Sequence, residues 1–139
     1  MNSASPLDVT MAFVARINDH DVPGLVDLMS PTHKFTDSVG NVVSGRDNMR
    51  HGWLYYFQMF PDYAIEVTEA FARANAVALF GKARGTFAVN GKLARGNFWE
   101  IPAAWKSVVE DSLVADWQVY ADNDAVRKIM SANSPSKSS

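Results

Sequence analysis

At 139 residues, with 47% hydrophobic and 12% aromatic residues, the chain suits a single domain with a substantial core. A chain this long buries about two-thirds of its unfolded surface and needs no staple. The absence of cysteine excludes disulfides, thiolate metal sites and a cysteine nucleophile. The formal charge of -2 is spread over mixed signs with no long run, which argues against a nucleic-acid partner.

The start, MNSASPLD, has neither a basic opening nor an apolar run, so no signal peptide is expected. No stretch approaches the roughly 18 apolar residues of a membrane span, and a cytoplasmic protein is the expectation. Ser5, Pro6 and Asp8 read as a helix start: a cap, a first-turn proline and an acid at the positive end of the dipole. Leu7, Met11, Val14 and Ile17 then recur at helical spacing. Asp21 caps a short second helix through Leu25, Leu28 and Met29, which Ser30-Pro31 stops. His33 to Asp37 reads as a strand, and Ser38 to Gly45 as a polar, glycine-flanked excursion. Asp47 or Asn48 opens a third helix with one aromatic face of Met49, Trp53, Tyr56, Phe57 and Phe60.

Four strands follow. Tyr63–Arg73 turns at Ala74-Asn75 into Val77–Ala88, and Asn90-Gly91 is a strong hairpin signal. Ala94–Asp122 is dense in strand formers and holds Trp99, Trp105 and Trp117; its one clear polar break, Glu110-Asp111-Ser112, divides it into two long strands. A short helix capped by Asp122 or Asp124 closes the fold at Met130. Residues 131–139, SANSPSKSS, read as a disordered polar tail. The expected class is therefore α+β: a curved, mostly antiparallel sheet wrapped around three N-terminal helices, with an internal pocket that the helices are too short to fill.

This order of elements resembles the nuclear transport factor 2-like superfold, which includes ketosteroid isomerase and the SnoaL-like polyketide cyclases. The pieces that carry the resemblance are FTDSVG at Phe35–Gly40, SGRDNM at Ser44–Met49, YYFQMFPDY at Tyr55–Tyr63 and EDSLVADWQVYADN at Glu110–Asn123. It implies one SnoaL-like domain over residues 1–130, a cone-shaped half barrel, and a homodimer through the convex sheet face. It also implies that Asp37 falls where ketosteroid isomerases hold the aspartate that moves the proton. Function on such a fold must still be argued from the site.

A carboxylate partly desolvated at a pocket mouth can act as a base. Asp before Ser and Gly equally suits a turn cap. The isomerase's hydroxyl and acid donors correspond here to Phe13, Trp53 and Trp105, none of which is a tyrosine or an acid. A base without those donors loses much of its catalytic power. His33 lies four residues before Asp37 on the same strand face and reads either as its acid–base partner or as a surface histidine near a strand start. Glu100 reads as a solvated or interface charge, with Pro102 marking a bulge or edge. Asp116 alternates away from Trp117, whose face the resemblance implies lines the cavity. An epoxide-hydrolase reading lacks its acid cluster, because Arg95-Gly96-Asn97 offers an amide where an acid is needed.

No two histidines have metal-ligand spacing, and there is no glycine-rich phosphate loop, so neither metal nor cofactor is expected. Phe13, Trp53, Phe57, Phe60, Trp99, Trp105 and Trp117 are the candidate ligand-binding wall; the same set also reads as core. Two functions stay open. One is a cofactor-independent isomerase or cyclase acting on a small apolar or cyclic ligand by proton abstraction, with Asp37 and His33 as catalytic candidates. The other is a non-catalytic ligand-binding or dimerising module.

Overall fold

A computed structural model describes residues 4–133. In chain order its elements are α1 (Pro6–Asn18), α2 (Val22–Asp27), β1 (Met29–Thr36), β2 (Val42–Ser44), α3 (Arg46–Met59), β3 (Ala64–Arg73), β4 (Ala76–Val89), β5 (Lys92–Glu110), β6 (Leu113–Tyr120) and α4 (Asp124–Ala132). The six strands form one curved, unclosed sheet in the order β2-β1-β6-β5-β4-β3. All neighbours are antiparallel except β1 and β6, which run parallel. The tail expected over 131–139 begins later, since Ser131 and Ala132 still belong to α4. Its last residues, 134–139, and the first three residues of the chain lie outside the described residues.

Local chemistry places most of these boundaries. Ser5 Oγ accepts from the Asp8 amide at 3.1 Å, with Pro6 opening α1, as the sequence predicts. Asp21 Oδ1 accepts from the Gly24 amide at 3.0 Å and caps α2. The β4–β5 turn sets Asn90 and Gly91 at φ of 53° and 75°, and the β5–β6 turn sets Asp111 and Ser112 at 51° and 62°. Positive φ at both central residues is the type I′ pattern, whose twist matches that of the strands it joins.

Some boundaries differ from the sequence reading. The second helix ends at Asp27, and the Leu28 and Met29 expected in it lead into β1 instead. α3 begins at Arg46 behind Gly45 (φ 99°), with no side-chain cap from Asp47 or Asn48. The excursion from Ser38 to Gly45 contains the strand β2, which pairs with β1 from Lys34↔Ser44 to Thr36↔Val42. Val42 and Val43 are exposed, so no alternation of burial announced it. Pro102 makes no bulge: it sits in unbroken register opposite Lys82. There β5 is paired with β4 alone, because pairing to β6 begins at Ala104↔Tyr120, and a residue without N–H is tolerated at that edge.

β5 is the central strand. From Asn97 to Val109 every second residue is buried, so Trp99, Ile101, Ala103, Trp105 and Ser107 face inward. The sheet bends where the ladder slips, between Val67 and Glu69 on β3, Thr86 and Ala88 on β4, and Val108 and Val109 on β5. α1 lies in the resulting concavity, burying Phe13, Val14 and Ile17. Thr10 donates to Ser107 at 2.9 Å, joining α1 to the middle of β5. The side chain of Asn18 accepts from the Ile65 amide at 2.8 Å and donates to its carbonyl at 3.0 Å, joining the end of α1 to β3.

The bulge at Val67/Glu69 brings the Glu66 carbonyl so close to Gly81 that a β-carbon there would overlap it. Gly81→Ala is expected to cost about 1–3 kcal/mol or more by forcing β3 and β4 apart, read as a lower urea midpoint.

Candidate functional site

The half of the concave sheet that α1 does not fill, roofed by α3, encloses a cavity of about 370 Å³, a size that suits a small ligand. Trp105, Trp117, Ile101 and Val119 reach it from β5 and β6, Phe35 from β1, and Met49, Trp53 and Tyr56 from α3. Tyr63 and Trp99 close a further part of the wall. Asp37, Ser38, Asn48 and Asn123 supply polar groups at a more open rim. Among the described residues no Lys, Arg or His lines it.

The candidate residues divide into wall and backing. Trp53, Trp99, Trp105 and Trp117 line the cavity. Phe13, Phe57 and Phe60 do not. Phe13 is fully buried beside Trp117, ring centroids 4.9 Å apart. Phe60 meets Trp99 edge-on at 5.4 Å. Phe57 stacks on His20 at 4.0 Å, and His20 Nε2 donates to the Tyr63 carbonyl at 2.7 Å. These three hold the wall rather than form it.

Asp37 reaches the rim, but its carboxylate is engaged in a turn. Oδ1 accepts from the amides of Val39 at 3.0 Å and Asn41 at 2.9 Å, and Oδ2 from the Asn41 side chain at 3.1 Å. This is the turn-cap geometry, in which the carboxylate closes the loop that follows β1.

His33 is not at the surface. It is fully buried, and Nδ1 meets the Val114 carbonyl at 2.7 Å. A carbonyl only accepts, so Nδ1 carries the hydrogen and Nε2 is left as a bare acceptor with no partner. His33 makes no pair with Asp37 and does not line the cavity. Burial lowers its pKa below the ordinary histidine value, against the opposing pull of the Val114 bond and the Asp116 charge.

The outward positions of β5 and β6 behave as alternation predicts. Glu100 lies on the convex side, 3.9 Å from both Lys82 and Arg84, and Asp116 is 3.5 Å from Lys34. Among the described residues no cluster of three His, Cys, Asp or Glu is placed to hold a metal. No helix there is long and apolar enough to cross a membrane.

Sequence reasoning missed Tyr56 and Tyr63 as a site. Their rings meet edge-to-face at 4.8 Å, close enough for each hydroxyl to act on the other's pKa. Burial pushes both pKa values well above that of an ordinary phenol. The neighbouring Tyr63 lowers that of Tyr56 in part; at Tyr63 the presence of Tyr56 raises it further. The available signal was spacing: Tyr56 follows Trp53 by one helical turn on the aromatic face of α3.

Comparison with known proteins adds the following. Residues 11–117 match the family model described as the SnoaL-like domain. Comparison with the curated proteins gives no sequence match. Among solved structures, a hypothetical protein with a ketosteroid isomerase-like fold from Catenulispora acidiphila, in complex with trimethylamine, superposes with a TM-score of 0.76 at 15% identity, covering 88% of this chain and 91% of that one. A protein assigned as a SnoaL-like polyketide cyclase from Jannaschia sp. CCS1 gives 0.78 at 16%, covering 94% and 93%. IdmH, assigned as a polyketide cyclase, from Streptomyces antibioticus gives 0.75 at 20%, covering 92% and 99%. At these identities the likeness concerns the fold.

The buried neutral His33 has a consequence for stability. Its folded pKa lies below the unfolded value of about 6.5, so the unfolded chain binds the proton more readily. Its contribution is complete above about pH 6.5 and is lost as pH falls toward the folded pKa, by up to about 1.4 kcal/mol per unit. His33→Asn keeps an amide donor for the Val114 carbonyl and removes the titration. Urea melts between pH 7 and pH 5 are expected to show a shallower acid loss in that variant than in the wild type.

Proposed function

The chain belongs to the SnoaL-like domain family, and from that premise we propose that it binds a small apolar cyclic ligand in the cavity between the concave sheet and α3. The observation that carries this reading is the wall itself. Four tryptophans bound one enclosed space without a cation, and three further aromatics outside the lining pack against wall or core rings to hold it. Rings supported in this way are already in place before a ligand arrives, which lowers the ordering cost of binding.

A second reading is a cofactor-independent isomerase or cyclase acting by proton abstraction. Asp37 on the rim of the same cavity favours it. The three amide hydrogen bonds to that carboxylate favour the binding module, because they occupy it as a turn cap. The fold-level relatives assigned as polyketide cyclases lend the enzyme reading an analogy and no residue.

Tryptophan fluorescence titrated with steroids and fused-ring aromatics is expected to shift for at least one compound class. A flat response across the panel overturns the cavity reading. Asp37→Asn separates the two functions: a turn cap loses about 1 kcal/mol of stability and leaves ligand affinity unchanged, whereas a base loses turnover and keeps stability.

The convex face is proposed as a homodimer surface. Phe71, Phe80, Phe98 and Tyr120 are exposed, and strand pairing puts them on one side of the sheet. Glu66, Lys82, Arg84 and Glu100 lie on the same side as a balanced set of charges, which a second copy related by a two-fold axis can complement. Sedimentation at micromolar concentration is expected to give a dimer, and Phe80→Glu together with Tyr120→Glu a folded monomer. A wild-type monomer at that concentration overturns the dimer.

A further inference from the structure

One edge of the sheet is closed over half its length and bare over the rest. β3 is that edge. At its start, Asn18 bonds both backbone groups of Ile65, and His20 donates to the Tyr63 carbonyl. Beyond the bulge at Val67/Glu69, residues 68–73 are all exposed. Among the described residues nothing outside the ladder with β4 bonds to the backbone of Ala70 or Ala72.

The bonds to Asn18 show which way this backbone faces. The N–H and C=O of Ile65 point away from β4, so Ile65 and Ala83 are a pair with no ladder bonds between them. Alternation along β4 gives Leu79 and Val77 the same character, and their partners past the bulge are Ala70 and Ala72. The backbone groups of these two alanines therefore point out of the edge, ready to pair with a further strand.

The side chains of this segment match a second copy of themselves. Glu69, Phe71 and Arg73 alternate onto one face. Neither Glu69 nor Arg73 has an ion pair among the described residues. Charges on an edge ordinarily deter pairing. Here they are opposite in sign and symmetric about Phe71. A two-fold axis at Phe71 sets Glu69 of one copy opposite Arg73 of the other, twice over, with the two Phe71 rings between them. The same register makes Ala70 of one copy and Ala72 of the other a hydrogen-bonded pair, which is what their outward groups require. The other edge of the sheet, β2, offers only Val42–Ser44 and no charge.

We propose that β3 is a self-pairing edge, joining two copies antiparallel over Glu69–Arg73 into one continuous sheet. This surface differs from the convex face and does not depend on a dimer forming there. The paired segment is short, below the roughly 800 Å² per partner of a standard interface, so the contact is weak and is read at near-millimolar concentration.

The chain has no cysteine, so a single one introduced at Phe71 reports on this contact alone. Phe71 meets its own copy in a pair without hydrogen bonds, where the Cα atoms lie about 4.5 Å apart, within disulfide reach. Phe71→Cys is expected to give a disulfide-linked dimer under mild oxidation. Adding Ala70→Pro removes an outward N–H, leaves the β4 ladder intact, and is expected to slow linkage about tenfold. Adding Glu69→Arg or Arg73→Glu sets like charges opposite each other at both ends and is expected to slow it about tenfold as well. Mixing these two charge variants restores both pairs, so the mixed disulfide is expected to form at the rate of Phe71→Cys alone. If Ala70→Pro fails to fold, the charge variants and their mixture decide. Absence of linkage in Phe71→Cys, linkage indifferent to a folded Ala70→Pro, or a mixture no faster than its components overturns the edge pairing.

Discussion

The cavity exists because α1 is fixed to one side of the sheet. Asn18 bonds both backbone groups of Ile65, and Thr10 bonds Ser107 at the centre of β5. Both attachments are partly or wholly buried, so sliding the helix sideways would leave polar groups unpaired away from water. A helix held there covers its own half of the concave face with Phe13, Val14 and Ile17. The sheet curves beyond it, and the short α2 and the tilted α3 leave the other half hollow.

What surrounds the hollow is layered. The tryptophan rings form the inner surface, and phenylalanine and histidine rings lie behind them at contact distances of 4.0–5.4 Å. Large rings packed against large rings have few alternative rotamers, so the wall resists collapse into the space. Charge is kept out by the same construction. The rim acid is bonded to amides, His33 is held neutral by burial, and the ionic groups of β4, β5 and β6 face the convex side.

Alternation along β5 separates the two faces of the molecule. Trp99, Ile101 and Trp105 point into the cavity, while Phe98, Glu100 and Lys106 point outward between them. A one-residue slip would exchange the two sets, placing charges in the pocket and tryptophans in solvent. The type I′ turns at Asn90-Gly91 and Asp111-Ser112 guard against that slip by fixing register at both ends of the strand.

The sequence by itself determined the α+β class, the order of the helices, the long antiparallel strands and the alternation that sets Trp117 and Val119 against Asp116 and Gln118. Each follows from short-range rules: caps, turn dipeptides and a period of two. Asp37 was legible as a residue with two readings, and its turn was as visible in Asp-Ser-Val-Gly as any catalytic role. Only the tertiary structure decided between wall and backing, because Phe13 and Trp53 share a chemistry and differ in which neighbours reach them first. It also buried His33, through a carbonyl 81 positions away in the chain. Tyr56 and Tyr63 are brought ring to ring by the break at Phe60 and Pro61, whose angle no local rule supplies. Periodicity assigns a residue to a face; which atoms on that face meet is set by how the sheet bends and where α1 is tied.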